Sequence, residues 1–208
     1  MTFASTTYRR PETLELTRDA DANRLIAHDP TALVIGWICD QQVRVQQAFH
    51  APIELQRRLG TLAPNEIAAM PVERVVDAFT EHPPLHRYGR SMAMRVHAAM
   101  QLIRNEYGGD VERLWLEAAD YEDLRARLLA LPGFGITKVP VFTAMLARKY
   151  GLAISGYEAG VPSYGCLADV DTYDDLLAYQ ARKHEYKQAH AEGRAPAGVR
   201  HRDDAKAR

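Results

Sequence analysis

The sequence predicts an all-α protein, and three observations predict it. Apolar residues recur at helical spacing along most of the chain, and no run alternates at the two-residue period of a strand. Helix start and stop signals punctuate those runs, among them Asp29-Pro30, Asp120 and Gly108-Gly109. There is no internal repeat, and 208 residues with 47% apolar and 25% charged content suit one medium domain or two small lobes with a real core.

Residues 1–17 read as an irregular, loosely attached N-terminus, and 18–190 as the helical domain. A first helix spans Arg18 to His28. Asp29 as N-cap and Pro30 at the first helical position open a second, expected to run from Thr31 to Phe49. Its first half, Ala32-Leu33-Val34-Ile35 and Trp37-Ile38, is apolar all round, which marks a central buried helix. Polar Asp40-Gln41-Gln42 then interrupt that pattern. Shorter helices follow at Ile53 to Leu59, Pro64 to Met70 and Val72 to Glu81, and Pro83-Pro84 breaks the chain. A loop with His86, Arg87 and Tyr88 leads to Ser91, a good N-cap for a helix over Met92 to Tyr107. Asp110 caps a short helix ending at Leu116, and Asp120 caps the next, Tyr121 to Ala130.

The stretch Leu131-Pro132-Gly133-Phe134-Gly135-Ile136-Thr137-Lys138 joins that helix to another over Thr137 to Tyr150. Two glycines flanking one apolar residue make a tight hairpin, supplying positive φ and uncovering backbone N–H groups at the start of the following helix. Such donors, with the helix dipole, favour an anion, and a nucleic-acid phosphate fits without any base being read. Lys138 in the first turn either meets that phosphate or points to solvent at a plain helical corner. Gly151 to Asp169 is long, irregular and rich in Gly, Pro, Ser and Tyr, and Asp171 or Thr172 caps a last helix from Tyr173 to about Ala189.

Net charge is −1, but residues 181–208 carry eight Lys/Arg against four Asp/Glu, a tail of +4 on a body of −5. A nucleic-acid face must therefore be local. Residues 191–208 read as a basic, disordered tail. Cys39 and Cys166 cannot build a disulfide framework, a four-thiolate zinc site or an iron–sulfur cluster, and Cys39 reads as a buried thiol. No apolar run approaches a membrane span, and the polar start of the chain lacks a signal-peptide core, so the expectation is a cytoplasmic protein.

The apolar helix ending in Leu131-Pro132-Gly133-Phe134-Gly135, the polar Thr137 two positions on, and the upstream Ile38-Cys39-Asp40-Gln41-Gln42 resemble the helix-hairpin-helix (HhH-GPD type) DNA glycosylases of base-excision repair, most closely an actinobacterial-type branch. The resemblance covers about Asp19 to Lys187. It implies a two-lobed all-α fold, a monomer acting near the nucleoid on double-stranded DNA with a damaged, extruded base, and an aspartate that assists cleavage of the N-glycosidic bond. Carried over by position, Gln41 and Gln42 contact DNA or fill the gap. Gly133, Phe134, Gly135, Thr137 and Lys138 form the phosphate-binding hairpin, and the carbonyls of Leu129, Leu131 and Phe134 hold a monovalent cation.

Two departures shape the expectation. Bifunctional members place an imine-forming lysine where this chain has Thr137, and Lys138, about 100° further round a helix, should face away from the cleft, which implies a monofunctional enzyme. The window expected to hold the catalytic aspartate contains Ser155, Gly156 and Tyr157 instead. Asp169 and Asp171, just before the last helix, are the candidates, or else they are a solvated loop residue and an N-cap. Asp40 is the alternative carboxylate, its plainer role being an acceptor for backbone N–H groups or for Arg44 or Arg95. Glu158 is a minor candidate. Tyr88 and Tyr164 are the loop aromatics expected to stack on an extruded base, whereas Trp37 reads as core. His82 and His86 lack a third ligand and read as surface or cleft histidines. The competing function is a non-catalytic protein that binds bent or branched DNA.

Overall fold

A computed structural model describes residues 8–193. Among them are ten α-helices and no strand, so the all-α expectation holds. The helices are α1 (Ala20–His28), α2 (Pro30–Cys39), α3 (Val45–Leu59), α4 (Pro64–Ala69), α5 (Val72–Thr80), α6 (Gly89–Tyr107), α7 (Arg113–Leu116), α8 (Tyr121–Ala130), α9 (Val139–Tyr150) and α10 (Tyr173–Ala191). Two 3₁₀ turns, Glu158–Gly160 and Leu167–Asp169, interrupt the long segment before α10. The tail expectation for 194–208 lies outside the described residues.

Local chemistry explains most boundaries. Asp29 caps α2 as the sequence implies, accepting from Thr31 N at 2.7 Å and Ala32 N at 3.2 Å, with Pro30 in the first turn. Asp120 caps α8 through Asp123 N at 2.9 Å. Of the two candidates before α10, Thr172 is the cap, in a reciprocal box with Asp175. Gly108, at φ +66°, ends α6 in the left-handed cap that glycine adopts without strain. Ser91 does not cap α6, which starts earlier at Gly89.

The main difference lies in the central helix. The expected run from Thr31 to Phe49 stops at Cys39, and α3 resumes at Val45 and continues through Pro52 to Leu59. The polar triplet is the break: Asp40 closes α2, and Gln42 takes a left-handed φ of +57°.

Helices α1 to α6 form one group, and α7 to α10 with the 3₁₀ turns form another. Their buried apolar side chains nevertheless make one connected core rather than one per lobe. The junction is aromatic. Phe142 on α9 meets Trp37 of α2, Trp115 of α7 and Phe134 of the hairpin edge-on, with ring centroids 5.3–6.0 Å apart. Gly36 lets this junction close, because a Cβ there would lie 2.6 Å from Phe49 Cδ1.

Residues 8–17 are irregular but not loosely attached. Tyr8 and Arg10 both bond Glu112, the Trp115 indole donates to the Tyr8 hydroxyl at 3.0 Å, and Arg9 N donates to Tyr150 O at 2.9 Å. Leu14 and Leu16 are buried in the core. The segment straps the end of α1 to α7 and α9, a role its irregular sequence conceals. No helix among the described residues is long and apolar enough to cross a membrane.

Candidate functional site

The hairpin between α8 and α9 is short and strongly held. Of its two glycines, Gly133 takes a left-handed φ of +97° and Gly135 does not. A Cβ on Gly133 would press on Ile38 Cγ2 at 3.0 Å, so glycine is required both by conformation and by contact with α2. The helix begins two residues later than expected, at Val139, and Thr137 and Lys138 belong to the turn. The N–H groups of Lys138 and Val139 both donate to the Gly135 carbonyl, at 2.8 and 3.1 Å, and Pro140 has no N–H. The N–H groups of Gly135, Ile136 and Thr137, and that of Val141 in the first helical turn, meet no protein acceptor among the described residues. Ile136 stands 58% exposed at the tip. Three of these N–H groups, from Gly135 to Thr137, are consecutive and precede the helix start at Val139.

Lys138 corrects an expectation. It lines the same two cavities as Thr137, and its side chain enters between the hairpin and the end of α2. Its ammonium donates to the carbonyls of Trp37 and of Gly133, the latter at 3.0 Å, and sits 5.6 Å above the Phe134 ring. Loss of hydration through burial lowers the Lys138 pKa to about 8, against the opposing pull of Asp40. Lys138 thus pins the hairpin to the end of α2. Gln41 adds to the clamp, donating to Ile38 O at 2.9 Å and Gly133 O at 3.4 Å while its own oxygen accepts from Arg95.

Asp40 occupies the centre of this arrangement. It lines both cavities beside the hairpin: one with Gln41, Arg95, Gly133, Phe134, Gly135 and Thr137, the other with Trp37, Tyr164, Tyr179, Lys183 and Lys187, and Lys138 lines both. The half-buried Asp40 carboxylate makes no direct hydrogen bond or ion pair among the described residues, and its charge acts on the Lys138 ammonium from a distance. Its expected partner Arg95 goes to Gln41 instead. The carboxylate also stands at the C-terminal end of α2, where the helix dipole disfavours a negative charge.

Asp169 and Asp171 are committed elsewhere. Asp169 pairs with Arg148 and accepts the Cys166 N–H at 2.8 Å, closing the 3₁₀ turn. The Asp171 side chain is 81% exposed and pairs with Lys149. Neither lines the hairpin cavities. Glu158 accepts the Gly156 N–H at 2.7 Å and is likewise outside them, although Gly160 and Pro162 of the same segment line the second cavity.

Of the aromatic candidates, Tyr164 lines the cavity and Tyr88 does not. Tyr88 donates to Gln42 Oε1 at 3.2 Å, under the Arg87 guanidinium at 4.8 Å, so the exposed Gln42 turn and the Tyr88 loop form one projection beside the hairpin. His86 is buried at 1% exposure, not a surface histidine. Its Nδ1 accepts the Tyr88 N–H at 3.0 Å and its Nε2 faces Gln41 O at 3.1 Å, a pairing that requires the neutral, Nε2-protonated ring. Burial lowers its pKa. Cys39 behaves as expected, a fully buried thiol whose pKa burial pushes up to about 12.

The carbonyls expected to hold a monovalent cation fit one poorly. The Leu131 carbonyl already accepts Phe134 N–H at 3.1 Å, and the Lys138 ammonium occupies the adjoining Gly133 carbonyl and lies 5.6 Å from the Phe134 ring centroid. Among the described residues no group of three or more His, Cys, Asp or Glu is arranged to hold a metal ion.

Sequence reasoning missed Lys183 and Lys187. The visible signal was their four-residue spacing on the last helix, which puts both on one face. Comparison with protein-family models and with curated proteins finds no match to this chain.

Proposed function

We propose that this chain is a DNA glycosylase that holds duplex DNA by the hairpin, takes an extruded base into the cavity between α2, α9 and α10, and hydrolyses its N-glycosidic bond. One observation carries the reading: an unpaired carboxylate, Asp40, lines the same cavity as the turn that presents three uncovered backbone N–H groups. The N–H groups supply a phosphate site that reads no sequence. The carboxylate supplies negative charge where the sugar becomes an oxocarbenium ion, and water completes the displacement. The Gln42–Tyr88 projection beside the hairpin suits the space an extruded base leaves in the stack. Asp40, rather than Asp169 or Asp171, is the carboxylate this reading uses.

Purified protein is expected to release a base from at least one member of a panel of damaged duplexes. Asp40→Asn should slow release by about 10²–10³-fold, the scale of losing one positioned charge in a catalytic site, while leaving duplex affinity intact. Asp169→Asn and Asp171→Asn should leave the rate within about threefold, since neither touches the cavity. Binding without release from any duplex would leave only a DNA-binding protein.

A second reading is favoured by Lys138, an amine of lowered pKa facing the same cavity. Its neutral form can add to the C1′ aldehyde of an abasic sugar and expel water to give an imine. Loss of a C2′ proton then drives out the 3′ phosphate. Borohydride would reduce the imine to a secondary amine and cross-link chain to DNA. Cross-linking in the unsubstituted protein and not in Lys138→Met supports this lyase step, and its absence from both removes it.

A further inference from the structure

We propose that the cavity between α2, α9 and α10 selects neutral or anionic bases bearing exocyclic carbonyls, the products of deamination and oxidation, and rejects the cationic bases that ring alkylation produces. The inference rests on the glycosylase reading and assigns the chemical class of its substrate.

Charge is the first argument. Three lysines, Lys138, Lys183 and Lys187, line the cavity against one carboxylate, Asp40. A base that arrives with its own positive charge meets a net balance of +2, to which the largely buried Lys138 contributes most and the exposed Lys187 least, because water screens it. A neutral base meets no such penalty, and one that loses a ring proton gains from it.

The second argument is that the aromatic surface is already in use. Cationic bases are held by stacking on electron-rich rings, through the attraction of a cation to a ring face. Here the Lys183 ammonium lies 5.5 Å over the Tyr179 ring, and Tyr164 leans on Tyr179 with centroids 6.1 Å apart. The ring best placed to attract a cation is thus supplied with one by the protein.

Hydrogen-bond supply points the same way. An ammonium has three N–H groups, and Lys138 spends two on the carbonyls of Trp37 and Gly133. One remains, and the exposed Thr137 lines the same cavity. Together with Lys183 and Lys187 the cavity offers donors in excess, which suit carbonyl oxygens on the ligand. Its volume, about 240 Å³, lies below the ~300–1,000 Å³ of drug-sized sites and suits a single flat heterocycle.

The test uses duplexes that differ in one base: uracil, hypoxanthine or 8-oxoguanine against cationic N7-methylguanine. Base release is read on each, and binding is read on the same duplexes with 2′-fluoro sugars, which resist cleavage. We expect the three neutral bases to exceed N7-methylguanine, which keeps its O6 carbonyl and differs in its positive charge, by at least about tenfold in both measurements. Lys183→Met with Lys187→Met should narrow that gap to within about threefold by removing two of the three cations. Release or binding of N7-methylguanine equal to or above the others overturns the inference while leaving the glycosylase reading in place. No release from any duplex, with the binding preference retained, overturns the glycosylase reading and leaves the selectivity of the cavity standing. No preference in binding overturns the inference whether or not bases are released.

Discussion

Residue chemistry decides which parts of the hairpin cleft can act, and Asp40 and Lys138 are the clearest cases. The oddity of Asp40 is visible in sequence, a carboxylate where an apolar helix should continue. Its lack of a partner is not, because Arg44 and Arg95 were equally plausible neighbours and only packing sends Arg95 to Gln41. Lys138 shows a sharper limit. Counting 100° per residue assumes a helix from Thr137, whereas the helix starts at Val139 and the Lys138 ammonium is held by the carbonyls of Trp37 and Gly133. With its pKa lowered to about 8, Lys138 should react with an acylating reagent along a pH profile with its midpoint near 8, well below that of exposed lysines. Peptide mapping after brief labelling at several pH values measures this, and a midpoint near that of the exposed lysines refutes it. His86 gives a second pH effect. Its pKa is lowered in the folded chain, so the neutral ring favours folding; the contribution is complete above the unfolded value, about 6.5, and is lost as pH falls from there through the folded value. Thermal unfolding should therefore shift to lower temperature below about pH 6.5, and His86→Gln should flatten that dependence while costing about 1–3 kcal/mol for the buried backbone groups it leaves poorly paired.

At the scale of elements, the informative feature is the break between α2 and α3. The sequence predicts one helix from Thr31 to Phe49 despite the polar Asp40-Gln41-Gln42, and nothing local in those residues demands a left-handed backbone. The turn forms because the hairpin seats against the end of α2, with Gln41 and Lys138 bonding across the contact. Caps at Asp29, Asp120 and Thr172 were legible because they depend on neighbours two or three residues away. The turn at Gln42 depends on a partner ninety residues away and was not. Gln42 at φ +57° should tolerate glycine with a stability change below about 1 kcal/mol, whereas Gln42→Val, stiff at Cβ, should cost about 1–2 kcal/mol. Gly36→Ala should cost about 1–3 kcal/mol, because its new methyl collides with Phe49 in a close-packed junction. Denaturant unfolding of the three variants tests both statements, and a neutral Gly36→Ala would mean that the Trp37, Phe49 and Phe142 rings repack.

For the whole molecule, a net charge of −1 gives no general attraction to DNA, so affinity must come from local cations and backbone donors. Duplex binding should accordingly weaken steeply with salt, in proportion to the few phosphates held, and Gly133→Ala should weaken it further by displacing the hairpin from α2. Salt-independent binding would argue against the hairpin as the contact. The same scale hides the N-terminal segment from sequence reading, since its partners Glu112, Trp115 and Tyr150 lie a hundred or more residues away. That strap has a consequence in time. Residues 8–10 leave the ribosome long before α7 and α9 exist, and they can fasten only after both helical groups have assembled. Their contacts then form after the folding barrier, so deleting them should speed unfolding while leaving the refolding rate almost unchanged. The strap acts as a latch on the lifetime of the folded state, closed last during synthesis and opened first under stress.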